Sequence, residues 1–198
     1  MRKPLFLLVM TALAVSACAP KQAANPDPNH THADFAVFVN GEQLDFSASE
    51  LMSGISTDAT THDEEAESRH DYYHLHDSNG HVIHRHKPGL PLQEFFDSLQ
   101  VGFDALCYAS FAPMADGQIC GETPFRMFVN GKEQTFDLDY VFTDLDQILL
   151  TNASTDADVA AQLQKLSDDA CLYSQTCPSR GKPPAENCIA DPAVPCVE

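Results

Sequence analysis

The stretch Phe35-Ala-Val-Phe-Val-Asn-Gly-Glu-Gln-Leu-Asp-Phe46 decides the fold class, because it joins an apolar run, an Asn-Gly pair and a second run ending on an aromatic residue. Asn-Gly tolerates the positive φ angles of a tight hairpin turn, and the twist of that turn matches two antiparallel strands. The pattern returns as Phe125-Arg-Met-Phe-Val-Asn-Gly-Lys-Glu-Gln-Thr-Phe136, with six of twelve positions identical. Because the identities include Phe35/Phe125, Phe38/Phe128 and Phe46/Phe136 as well as the turn, the two segments read as an internal duplication.

Working outward, Leu92, Phe95, Phe96 and Leu99 recur at helical spacing, with Pro91 suited to the first turn and Gly102 to the stop. Ile148 to Thr151 reads as a short strand. Thr155 with Asp158 three residues on is a capping arrangement for a helix that buries Val159, Leu163 and Leu166. These elements predict an α+β fold: a mostly antiparallel sheet built from duplicated hairpins, with one or two packing helices. The hairpin-then-helix order is similar to half of a β-grasp fold, which implies β-grasp-like halves.

All nine histidines fall between His30 and His86, and six form the pairs His30/His32, His74/His76 and His84/His86. Spacing of two in an extended chain puts both rings of a pair on one face. The last two pairs flank Asp77-Ser-Asn-Gly80, a turn signal, so they are expected on adjacent antiparallel strands. Loop length then sets the register. A three-residue loop, Ser78-Asn79-Gly80, with Gly80 left-handed after a type I turn, gathers Tyr73, Leu75 and Ile83 on one face. It sets His74, His76, Val82, His84 and His86 on the other, with His74 opposite His84 at a Cβ separation of roughly 4.5 to 5.5 Å. Rings so placed converge on one metal ion, with His30 and His32 completing the site from a neighbouring strand.

Imidazole ligands suit a divalent transition metal, with Zn(II) or Cu(II) ahead of Ni(II). The competing reading is a solvated or pH-sensitive polar face on an envelope adaptor that docks a partner protein through its hairpins. The polar stretch 60–71, with His62 and His70, resembles in composition the acidic, His-containing loops of exported zinc-capturing solute-binding proteins, and reads plainly as a flexible solvated loop. His74-Leu-His-Asp-Ser-Asn79 resembles the H-x-H-x-D-H signature of metallo-β-lactamase-like hydrolases, but Ser78 and Asn79 stand where Asp and His are required. No H-E-x-x-H, G-x-S-x-G, phosphate loop or C-x-x-C occurs, so no enzyme is expected.

The chain opens with Arg2 and Lys3, an apolar run from Leu5 to Val15, and then Val15-Ser-Ala-Cys18. The run falls short of the roughly 20 residues of a spanning helix. Val15-Ser-Ala-Cys18 resembles the lipobox of bacterial lipoproteins, which implies cleavage before Cys18, a lipid on that cysteine, and a membrane anchor in the cell envelope. With Ala19 after the cysteine, the resemblance implies the periplasmic face of an outer membrane. The remaining chain is similar to exported, histidine-rich prokaryotic proteins, a likeness that implies no activity. The expected organisation is a signal peptide at 1–17, a polar tether at 18–29, one α+β domain at 30–170 and a Cys-rich tail at 171–198.

Without Arg2 and Lys3 the chain carries 9 basic residues against 29 acidic ones, a balance that argues against nucleic acid and anionic lipid surfaces. Apart from Cys18, the cysteines are Cys107, Cys120, Cys171, Cys177, Cys188 and Cys196. An even number in an exported chain predicts three disulfides, with Cys107 and Cys120 paired locally and the last four paired among themselves.

Overall fold

A computed structural model describes residues 23–53, 72–111 and 117–182. Residues 1–22, with the expected signal peptide and Cys18, the stretch 54–71 with His62 and His70, and Cys188 and Cys196 lie outside the described residues.

Both Asn-Gly hairpins form. β1 (Thr31–Val39) turns into β2 (Glu42–Gln43), and β8 (Arg126–Val129) turns into β9 (Lys132–Gln134). Asn40 and Gly41 take φ of 52° and 87°, and Asn130 and Gly131 take 52° and 73°, the pair of positive angles that a type I′ turn demands. The hairpins do not close two separate halves. They join one sheet of order β3-β4-β1-β10-β8-β9, with β3 at Tyr73–His74, β4 at Val82–Arg85 and β10 at Gln147–Thr151. β1 and β10 run parallel; the other pairings are antiparallel. A second, three-stranded antiparallel sheet consists of β5 (Val101–Phe103), β6 (Cys107–Ser110) and β7 (Gly117–Cys120), with Cys107 opposite Cys120 and disulfide-bonded to it.

All nine residues of β1 are buried, because the sheet is covered on both faces. On one face Phe35, Phe46, Tyr73, Leu75 and Ile83 pack with Leu92, Phe95, Phe96 and Leu99 from helix α1 (Leu92–Ser98) and the turn after it. Each such side chain contributes roughly 1.5 to 3 kcal/mol when removed from water. On the other face Ala36, Phe38, Phe128 and Leu149 meet Val159 of α2 (Asp156–Leu163). Thr155 caps α2 as expected, accepting from Asp158 N at 3.1 Å and donating to its carboxylate at 2.6 Å. Further along this face lies α3 (Ala170–Tyr173), a four-residue helix.

The histidine hairpin has the expected register, with His74 opposite His84 and Tyr73, Leu75 and Ile83 in the core. Its turn is different. Asp77 and Ser78 hold the left-handed positions at φ 59° and 56°, and Asn79 N donates to His76 O at 3.0 Å, so the tight turn is His76–Asn79. Gly80 serves another need: a Cβ there would overlap the backbone of Phe46 and Ser47. Gly80→Ala is therefore expected to cost about 1 to 3 kcal/mol, because it pushes the hairpin off the chain beneath it. Thermal unfolding checks this, and an unchanged midpoint would refute the close approach.

Three further expectations are corrected. Helix α1 ends at Ser98, four residues before Gly102, because Gln100 takes the left-handed stop at φ 55° and Gly102 lies within β5. The end of the tether is docked: Ala23 N donates to Thr176 O at 2.9 Å, and Asn25 Nδ2 donates to the Asp144 carboxylate at 3.0 Å. The Cys-rich stretch does not begin as irregular tail. Cys171 opens inside α3 and is bonded to Cys177, with Tyr173, Ser174 and Thr176 buried against the domain.

Candidate metal centre

Three strands bring three imidazoles into one row. His74 on β3 faces His84 on β4, and His84 faces His32 on β1. A second tier stands beside it, with the His30 and His86 ring centroids 3.9 Å apart and the His76 and His84 centroids 3.7 Å apart. Every second residue of a strand shares a face, so in this register the H-x-H spacing places all six rings on the side opposite α1.

This face is not solvated. His84 is 0 % exposed, His32 1 % and His74 3 %, while His76 and His86 are buried and His30 is half-buried. The cover is α3 and the residue after it. Tyr173 sets its ring edge-on to His84, with centroids 4.6 Å apart, and Ser174 Oγ is 2.7 Å from His32 Nδ1. The reading of a water-facing histidine surface is thereby corrected: alternation chose the right face, and a short helix then closed over it. His74 and His84 are consequently not side chains that can be removed with the packing untouched.

Within the cluster His30, His32 and His84 could hold a metal ion, each offering one ring nitrogen, with all three nitrogens inside 4.8 Å of one another. The Nε2 atoms of His30 and His32 are 3.1 Å apart. Two nitrogens bound at about 2.0 to 2.1 Å to one tetrahedral ion stand about 3.3 Å apart, so this pair is already close to the required spacing. The centre thus lies between β4 and β1, with His84 on β4, His32 on β1 and His30 just before β1, and not between the two strands of the β3–β4 hairpin. His74, His76 and His86 surround it, with His74 centred 4.9 Å from His86 and 6.3 Å from His84.

A hydrogen-bonded chain orients His32. Ser174 Oγ donates to Asp144 Oδ1 at 2.6 Å, and Asp144 Oδ1 also accepts from His32 N at 2.9 Å. Because the one hydroxyl proton is committed to Asp144, the hydrogen between Ser174 and His32 belongs to His32 Nδ1. That leaves a lone pair on Nε2, the atom that faces His30. His76 is held in the same manner, its Nδ1 2.7 Å from Asp77 Oδ2.

Behind the row, on the core face, Arg85 lies opposite Thr31 and Tyr73 and sits over the Phe142 ring at 4.4 Å. Burial pushes its pKa down, while Tyr73, Asp144 and Asp146 push it up.

Tyr173, Ser174 and Asp144 have no place in a reading of the sequence alone. The one signal for Tyr173 and Ser174 is position, since they fall among the five residues between Cys171 and Cys177, which a local disulfide forces into a compact loop. Fold and site together define a two-sheet α+β domain with a buried, histidine-lined candidate metal centre. No family model, curated protein or solved structure matches the chain.

Proposed function

We propose that this protein is an exported lipoprotein that captures, buffers or delivers one divalent transition-metal ion, Zn(II) or Cu(II) before Ni(II), bound by His30, His32 and His84. The observation that carries this reading is the convergence of three imidazole nitrogens within 4.8 Å. The lone pair directed from His32 by Ser174 and Asp144 supports it, because a metal ligand needs a fixed tautomer as well as a position. His76, pinned by Asp77, is the adjacent donor for a fourth position. The enclosed setting suits retention of an ion. We assign the centre no catalytic step.

Metal content of the purified protein tests the proposal: zinc, copper or nickel near one ion per chain supports it, and metal-free protein that takes up none of the three overturns it. We further propose that the chain is tethered to the envelope through a lipid on Cys18, with Val15-Ser-Ala-Cys18 as the support. Cys18→Ser is expected to move the protein from the membrane fraction to the soluble one, and unchanged membrane association would refute the anchor. The likeness of 35–46 to 125–136 supports an origin by duplication of one hairpin.

A further inference from the structure

We propose that the Cys171–Cys177 disulfide regulates the metal centre by holding its roof shut, so that a dithiol reductant opens the site; this rests on the metal-binding reading above. The bridge closes a small ring of chain that contains Leu172, Tyr173, Ser174, Gln175 and Thr176. Both roof residues that touch the histidines belong to that ring. Ser174 sits on His32 Nδ1 at 2.7 Å, and the Tyr173 ring lies 4.6 Å from His84, 5.6 Å from His32 and 5.8 Å from His76.

The roof cannot hold this shape by helix formation alone. Four residues are far below the length at which a helix is stable in water, so α3 depends on its tethers. These are the cap from Asp34, the disulfide, the hydrogen bond from Thr176 N to Cys171 O at 2.9 Å, and Arg180, which donates to Asp169 at 2.8 Å and to Cys171 Sγ at 3.3 Å. The disulfide is the one covalent member. Cys171 is buried and Cys177 is half-buried, so a thiolate approaches from the Cys177 side.

The step is ordinary thiol–disulfide exchange. A dithiol delivers two electrons and two protons, the S–S bond breaks, Cys171 and Cys177 become thiols, and the reductant leaves as its own disulfide. Zn(II), the ion used in the test, has no accessible redox change and keeps its oxidation state. Release of the ring returns conformational freedom to Tyr173 and Ser174, and the closure entropy of so short a loop corresponds to about 10- to 50-fold in the open population. Cys107–Cys120 provides an internal control, because it ties β6 to β7 in the other sheet.

The test measures zinc dissociation into a chromophoric chelator for the full chain, for Cys171→Ser with Cys177→Ser, for Cys107→Ser with Cys120→Ser, and for Tyr173→Ala, which thins the roof with the bridge intact. A second readout, on metal-free protein, is the rate at which diethyl pyrocarbonate modifies His32 and His84. We expect dissociation and modification to rise about 10- to 50-fold in the Cys171/Cys177 variant, to rise in Tyr173→Ala, and to stay at the parent rate in the Cys107/Cys120 variant. Parent-like rates in the Cys171/Cys177 variant overturn the inference whatever Tyr173→Ala does, and if that variant does not fold, modification of His32 and His84 in the metal-free parent before and after reduction decides, with unchanged rates overturning the inference. If the parent holds no zinc, the proposed function fails by itself, while histidine modification still decides whether the bridge governs the roof.

Discussion

Replacing His32 and His84 together with alanine is expected to weaken Zn(II) or Cu(II) binding by about four orders of magnitude. Structural zinc sites with four protein ligands bind with roughly 10 to 16 kcal/mol, so each ligand accounts for about 3 kcal/mol, and two are removed here. Both side chains are buried, so the double variant also loses packing. His30→Ala separates the effects: that ring is half-buried, and its loss is expected to lower affinity about 100-fold with little change in unfolding without metal. Ser174→Ala leaves all three ligands in place and releases His32 from Asp144, for a loss of about 10- to 100-fold. Affinity falls as the solution is acidified, because protons compete for the same nitrogens. Calorimetric titration of the series checks these steps. Added metal at 100 times its dissociation constant is expected to stabilise the parent by about 2.7 kcal/mol and the double variant not at all. Parent-like affinity in the double variant would remove His32 and His84 from the centre.

Asp34→Ala is expected to cost about 2 kcal/mol and to loosen the roof. Asp34 is buried on β1, and its carboxylate accepts from the Ser167 hydroxyl, from Asp169 N at 2.8 Å and from Ala170 N at 3.2 Å. Alanine leaves the buried Ala170 N–H without this acceptor, at about 1 to 3 kcal/mol, and the half-buried Asp169 N–H at less. Part of that loss is offset. Burial pushes the Asp34 carboxyl above its usual pKa, against the lowering by those hydrogen bonds, so its charge carries a desolvation cost that alanine abolishes. For a domain of this size the net loss corresponds to a fall of about 4 to 8 °C in the unfolding midpoint. Asp34→Asn, which keeps an acceptor, is expected to lose less. Equal midpoints for the parent and Asp34→Ala would show that α3 is held by other contacts.

The histidine face was legible from the sequence because three apolar residues, Tyr73, Leu75 and Ile83, admit one register in which all of them are buried, and parity then places the imidazoles. The hairpins and the Thr155 cap were legible for a similar reason, since turn and cap chemistry are local. The roof was not. Within α3 only Ala170, Cys171 and Tyr173 are buried, too few for a periodic signal, and the prolines and cysteines that follow suggest an irregular tail. Nor could the pattern reveal that β1 lies parallel to β10, because a parallel pair has no connecting turn to mark it. The site drew on His32 because β1 pairs antiparallel with β4, which sets His32 opposite His84 of the hairpin.

The pairing of β1 with β10 also bears on when the centre comes into being. His32 N bonds to Asp144 across 112 residues, and Ser174 reaches His32 across 142. Contacts so distant along the chain form late and slowly, because loop closure must precede the gain from pairing. A chain threaded unfolded through a membrane would therefore carry no formed centre, only scattered imidazoles of weak individual affinity. Under the proposed function, loading with metal would follow folding instead of directing it, and refolding of the purified protein is expected to proceed at the same rate with and without zinc.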